Sequence, residues 1–143
     1  MTPLNLQGAP VLVVGAGLMG AGIAQVAAAA GHRVMLFDAR ESAAGAARDK
    51  LAGTFDGLVA KGKLTADQAR ATLARIEPVA ALAQAGGARL VVEAIVEDLA
   101  AKRTLLRQLE AVVESSAVLA TNTSSISVTA LAAGLAHPQR LVG

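Results

Sequence analysis

The sequence predicts an α/β fold built on a doubly wound, mostly parallel sheet, and three observations carry that expectation. Short apolar runs alternate with longer segments of helical period. The first run, Val11–Val14, is apolar at every position, as a strand covered on both faces must be. It leads directly into Gly15-Ala16-Gly17-Leu18-Met19-Gly20, a glycine-spaced turn that opens a helical stretch.

The elements follow in order. Met19, Ile23, Val26, Ala27 and Ala30 mark the expected inner face of the first helix, and Gly31 stands where the chain should leave it. Val34–Phe37 is the second strand. From Glu41 to about Lys61 a helical stripe runs through Ala47, Leu51, Phe55, Leu58 and Val59 until Gly62 interrupts. Thr65 and Gln68 have the spacing of a capping box and open another helix, with Ala66, Ala69, Leu73 and Ile76 on one face. Strands are expected at 78–80 and 90–95. The latter is followed by a helix marked by Leu105, Leu106, Leu109, Val112 and Val113. Val118–Thr121 is the next strand, and Ser127 caps a last helix that ends near Gly134. Residues 140–143 read as the start of one more strand, so the chain is expected to be part of a longer protein.

Composition narrows the function classes. The 143 residues suit one domain. They are 54% hydrophobic with two Phe and no Tyr or Trp, so the core must be aliphatic. A net charge of +2, from scattered Lys and Arg, does not point to nucleic acid. No apolar stretch reaches the length of a membrane span, and the first residues do not read as a secretion signal, so a cytoplasmic protein is expected. Without cysteine there is no disulfide, thiol nucleophile or thiolate metal site. His32 and His137 are the sole imidazoles and lie far apart in sequence, so no metal centre is expected.

The glycine turn carries the chemistry. In the Gly-x-Gly-x-x-Gly pattern of a Rossmann-type domain, Gly15 permits the tight turn, Gly17 lets a pyrophosphate approach the backbone, and Gly20 lets the helix pack closely. Leu18 and Met19 begin that helix, whose first N–H groups and dipole favour an anion. Asp38 closes the second strand at the place of the acid that receives the adenosine ribose hydroxyls and repels a 2′-phosphate. The predicted cofactor is therefore NAD, although Arg40 nearby has the charge to hold a 2′-phosphate. The phosphate-loop motif Gly-x-x-x-x-Gly-Lys-Ser/Thr is absent, and without Tyr a tyrosine–lysine catalytic pair is impossible.

Three segments, Gly15-Ala-Gly-Leu-Met-Gly-Ala-Gly-Ile-Ala-Gln25, Val92-Glu-Ala-Ile-Val-Glu-Asp-Leu99 and Thr121-Asn-Thr-Ser-Ser125, together resemble the NAD domain of the L-3-hydroxyacyl-CoA dehydrogenase family. The resemblance covers essentially the whole chain. It implies that Glu97, Lys102 and Asn122 line the cofactor site with Gly15, Gly17, Leu18, Met19, Gly20 and Asp38. It further implies that Ser124 is the catalytic serine at the substrate oxygen, and that Thr54 and Lys61 meet coenzyme A. The family's general base is a histidine in a His-Phe-Phe-Asn-Pro motif downstream of that serine, followed by a helical domain. Both are expected beyond Gly143, so residues 1–143 are expected to be an NAD-binding domain with little activity of its own and the full-length protein a homodimer acting on acyl-CoA. The motif pattern resembles bacterial forms serving phenylacetate catabolism, with 3-hydroxyadipyl-CoA or 3-hydroxybutyryl-CoA as substrate. A purely NAD-binding module, or the NAD half of a 3-hydroxyisobutyrate or 6-phosphogluconate type dehydrogenase, is the alternative. The Val-Glu-Ala-Ile-Val-Glu segment argues against the last.

Overall fold

A computed structural model describes residues 6–123 and 125–143. The elements run β1 (Val11–Val14), α1 (Leu18–Ala29), β2 (Val34–Phe37), α2 (Ala43–Ala60), α3 (Ala66–Ala74), β3 (Ile76–Pro78), β4 (Leu90–Glu93), α4 (Leu99–Val112), β5 (Val118–Thr121), α5 (Val128–Ala132) and β6 (Leu141–Val142). Six strands form one sheet in the order β3-β2-β1-β4-β5-β6, and each adjacent pair is parallel. The strand order reverses between β1 and β4, where open α/β sheets leave a crevice at the carboxyl ends of their strands.

Successive side chains of a strand point to opposite faces, and β1 divides accordingly. Val11 and Val13 join Val34, Leu36, Ile76, Ala24, Ala28, Leu51 and Phe55 in a core under α1, α2 and α3. Leu12 and Val14 join Met35, Val91, Leu119, Leu105, Leu106, Leu109 and Leu131 in a second core under α4 and α5. Both faces are thus covered, which explains why β1 carries no polar residue.

The strands at 11–14, 34–37 and 118–121 lie where the sequence places them, and β6 forms from Leu141 and Val142. The Thr65–Gln68 capping box is present: Gln68 N–H donates to Thr65 Oγ1 (3.1 Å), and Thr65 N–H donates to Gln68 Oε1 (3.0 Å). Three expectations are corrected. The third strand comes earlier than 78–80, because pairing with β2 sets Ile76 beside Val34 and Pro78 beside Leu36. Ile76 therefore belongs to the sheet rather than to the inner face of α3, and Pro78, which has no N–H to give, is tolerated on the edge strand. The fourth strand ends at Glu93, short of residue 95, because the chain turns there against the glycine loop. The inner face of α1 is Gly20, Ala24 and Ala28, whereas Met19 is 62% and Val26 71% exposed. A Cβ on Gly20 would overlap the Gly15 carbonyl, so the first turn of the helix lies too close for a larger residue there, while Ile23 and Ala27 of the expected face do pack, partly buried, against the core.

Candidate cofactor and substrate site

The glycine loop joins β1 to α1 at the point where the strand order reverses. Gly15 has φ +108°, and a Cβ there would lie 2.7 Å from the Ala94 carbonyl carbon, so only glycine fits both the turn and its neighbour. The space above Gly17 is open: nothing lies within 4 Å of where its Cβ would be. No side chain caps α1 and no acid sits in its first turn. The N–H groups of Leu18, Met19 and Gly20 and the positive end of the helix dipole are thus left for an anion. The exposed Leu18 and Met19 side chains make no part of this, and their contribution is backbone.

Asp38 closes the loop from the β2 side. Its Oδ2 accepts from Ala16 N–H (2.8 Å) and its Oδ1 from Arg40 N–H (2.8 Å), while the Arg40 guanidinium donates to both oxygens (3.1 and 3.2 Å). Burial alone would raise its pKa. The hydrogen bond from the Arg40 side chain, with those from Ala16 and Arg40 N–H, overcomes this and holds the carboxyl at about 2. Arg40, which a sequence reading could assign to a 2′-phosphate, is instead engaged with Asp38, and its own pKa is raised by that hydrogen bond. Between α4 and the ends of β1 and β2 lies an apolar groove of about 880 Å³, with Val14, Phe37, Ala39, Ile95, Ala101 and Leu105 in its walls.

On the other side of the crevice a buried ionic cluster joins β4, α4 and β5. Lys102, from the first turn of α4, has no solvent-exposed surface. Its Nζ donates to Glu93 Oε1 (3.0 Å) and Glu97 Oε1 (2.8 Å). Glu93 is also fully buried, accepting from Thr121 Oγ1 (2.5 Å) and Ile95 N–H (2.8 Å). Glu97 reaches across to the loop after β5, where its Oε2 accepts from Thr123 Oγ1 (2.8 Å) and Ser125 Oγ (2.7 Å). The Lys102 hydrogen bond, followed by those of Ser125 and Thr123, lowers the Glu97 pKa to about 2. Asn122 begins the same loop, and its N–H donates to Glu93 O (2.9 Å).

The structure thus brings Gly15, Gly17, Gly20, Asp38, Glu97, Lys102 and Asn122 to one edge of the sheet. Lys102 lies fully buried behind Glu97, with no exposed surface of its own. Ser124 lies outside the described residues. Thr54 is exposed on α2 and lines a second groove of about 600 Å³ between α1 and α2, beside Gly17, Arg40 and Lys50. Lys61, at the end of α2, is not among the residues lining that groove. His32 is turned away from the site, its Nδ1 2.8 Å from Ala9 O. Among the described residues no group of three or more His, Asp or Glu is placed to hold a metal ion.

Sequence reasoning passed over Glu93, Thr121 and Lys50. Glu93 did leave a signal. A strand covered on both faces has no place for a carboxylate unless a cation meets it, and Lys102 follows on the next helix. Lys50 left none, being one more lysine on a helix.

A glycine loop that accepts only glycine at two positions, an uncapped helix beside it, and a carboxylate at the end of β2 define a dinucleotide-binding domain of the doubly wound class. Residues 10–143 match the family model for the 3-hydroxyacyl-CoA dehydrogenase NAD binding domain, and the chain belongs to that family. It is 44% identical over 140 residues to the 3-hydroxyadipyl-CoA dehydrogenase of Escherichia coli K12, covering 98% of this chain and 29% of that protein. With a probable 3-hydroxybutyryl-CoA dehydrogenase of Bacillus subtilis it shares 38% over 133 residues, 93% of this chain and 46% of that one. The crystal structure of a 3-hydroxybutyryl-CoA dehydrogenase from Escherichia coli K12 superposes with a TM-score of 0.92 at 43% identity, covering 96% of this chain and 29% of that chain. The 143 residues therefore span less than half the length of these relatives, and the part they span is an NAD-binding domain.

Proposed function

We propose that the protein to which this domain belongs oxidises 3-hydroxyacyl-CoA to 3-ketoacyl-CoA, and that the domain supplies the cofactor half of its site. The observation that carries the reading is the layout of one sheet edge. The phosphate loop lies at β1, the ribose acid Asp38 at β2, and the Glu97 cluster beyond the switch point at β4 and β5. With the adenosine half over β2 and the pyrophosphate at α1, the nicotinamide half falls on the β4–β5 side. The apolar groove lined by Phe37, Ile95 and Leu105 suits a flat adenine ring. Bound NAD supplies the hydride acceptor.

The chain's own groups do the rest. The first N–H groups of α1 hold the pyrophosphate, and Asp38 accepts from the ribose hydroxyls and disfavours a 2′-phosphate, so NAD binds more tightly than NADP. Ser124 donates a hydrogen bond to the substrate oxygen at C3, where charge develops as its proton leaves. Glu97 holds the hydroxyls of Thr123 and Ser125 in the loop after β5. Thr54 and Lys61 meet coenzyme A along α2, with Lys50 one turn before Thr54 on the same helix. The histidine base and the acyl-binding surface are assigned to the part of the relatives' length that this chain does not span. Relatives named 3-hydroxyadipyl-CoA dehydrogenase and 3-hydroxybutyryl-CoA dehydrogenase support both acyl chains alike, and phenylacetate catabolism is the pathway proposed. A homodimeric, cytoplasmic enzyme is the form proposed. The lack of cysteine fits the cytoplasm, and among the described residues no helix is long and apolar enough to cross a membrane.

The test is a comparison of three proteins with acetoacetyl-CoA and NADH. The 143-residue chain should turn over near background, since general acid–base help alone is worth about 10²–10⁴-fold. A chain extended to the full length of its relatives should be active, and S124A in that longer protein should lose most of the activity. Robust turnover by the 143 residues alone, or an unaffected S124A, would overturn the assignment.

A further inference from the structure

The buried pair Glu93–Lys102 is more than a support for the fold. We propose that Glu93 is a positioning residue for the cofactor site, acting through Lys102 on Glu97 and, through Glu97, on the loop that carries Asn122 and Ser124. The proposal rests on the reading that Glu97 faces the nicotinamide half of NAD.

Geometry carries the argument. Glu93 is the last residue of β4, paired in register with Val14 of β1 on one side and Thr121 of β5 on the other. It sits at the switch point itself, on a strand paired on both sides. Each of its carboxylate oxygens is taken: Oε2 by Ile95 N–H, Oε1 by Thr121 Oγ1 and Lys102 Nζ. A fully buried carboxylate is costly unless it is satisfied in this way, and fixed partners on two strands leave it a single orientation. Lys102 takes its position from that anchor. Its ammonium offers a second of its three N–H donors to Glu97, whose carboxylate is more than a third exposed and would otherwise sample many rotamers. Glu97 in turn gathers Thr123 and Ser125. The chain of contacts runs from a buried strand end to an exposed loop, and each link is an ionic or charge-assisted hydrogen bond of 2.5–3.0 Å. Glu93 itself has no exposed surface through which to contact a ligand.

A structural residue and a positioning residue differ in how their effects combine. NADH binding to the 143-residue chain, read from cofactor fluorescence on folded protein, is measured for the unmutated chain, E93Q, E97Q and the double variant. The expected result is a loss of about tenfold in affinity for E93Q and for E97Q, with the double variant no weaker than E97Q alone, because both act through one path. NMR resonances of the Thr123 and Ser125 amides should move in E93Q as they do in E97Q. T121V keeps every charge and removes one hydrogen bond to Glu93. It should weaken NADH by about threefold, again only when Glu97 is present, and it decides the matter if E93Q does not fold. Additive losses, or a lowered melting temperature with unchanged affinity, would overturn the proposal and leave the cofactor reading standing. Failure of the unmutated chain to bind NADH would overturn both.

Discussion

Glu97 and Asp38 are the two carboxylates whose ionisation the site changes most, and the sign of the effect on stability follows from the direction of the shift. The Glu97 pKa falls from an ordinary 4.5 to about 2, and that of Asp38 from 3.8 to about 2. A group with a depressed folded pKa contributes stability that is fully present above its unfolded value and is lost as pH falls through the folded one. The contribution of Glu97 is therefore intact at neutral pH and disappears between about 4.5 and 2. In E97Q the urea midpoint should show less loss across that window than in the unmutated chain. Parallel curves for the two proteins would mean that the Lys102, Ser125 and Thr123 contacts do not persist in solution. The contrast between Glu97 and Glu93 also shows what the sequence discloses at this scale. Glu97 stands in a motif and in the first residues after a strand, so family resemblance points to it. Glu93 is the same residue type inside the same motif, but its importance comes from Thr121 and Lys102, which only the folded sheet brings to it. Asp38 was legible because its place at a strand end fixes its surroundings. The part Arg40 plays was not, because a guanidinium two residues away can turn to the acid or to a ligand with equal ease.

Elements were legible wherever one physical rule fixed them. Val11–Val14 and Val34–Phe37 are short, continuously apolar and bounded by turn residues, and no helix fits in that space. The capping box set the start of α3. The inner face of α1 was misjudged because periodicity favours the larger apolar residues, while close approach to the sheet selects the smallest. The consequence can be measured. Val26→Lys should change stability by no more than about 0.5 kcal/mol, since that side chain is already in solvent. Ala28→Leu should cost about 1–3 kcal/mol by overpacking the core under α1, although both sites lie on one apolar helix. Denaturant unfolding of the two variants distinguishes them, and equal effects would place α1 further from the sheet. The third strand was placed two residues late for a related reason. Ile76 fits the period of α3 equally well, and only pairing with β2 assigns it to the sheet.

At the scale of the whole molecule, the doubly wound sheet was readable from the alternation of strand and helix, and the two-sided core follows from it. What the sequence does not display is the ionic cluster that stands across the sheet edge from the glycine loop and Asp38. Asp38 follows β2, the glycine loop follows β1, and the ionic cluster joins β4, α4 and the loop after β5. The pairing that unites them, residues 11–14 against residues 90–93, joins stretches separated by more than half the chain. Closing so long an excursion costs entropy before its contacts repay it, so folds dominated by such pairings assemble slowly. The crevice therefore exists only once that late pairing is made, and a nascent or refolding chain has nowhere to put the dinucleotide. The cofactor should act as a brake on unfolding and not as an accelerator of folding. At a concentration of 100 times its dissociation constant, stabilisation of about 2.7 kcal/mol should appear almost wholly as a slower unfolding rate, about a hundredfold, with the refolding rate unchanged in stopped-flow experiments. Faster refolding in its presence would mean that β1 and β4 meet early. In a cell, the lifetime of the finished domain would then follow the supply of dinucleotide, while the yield of folding would not.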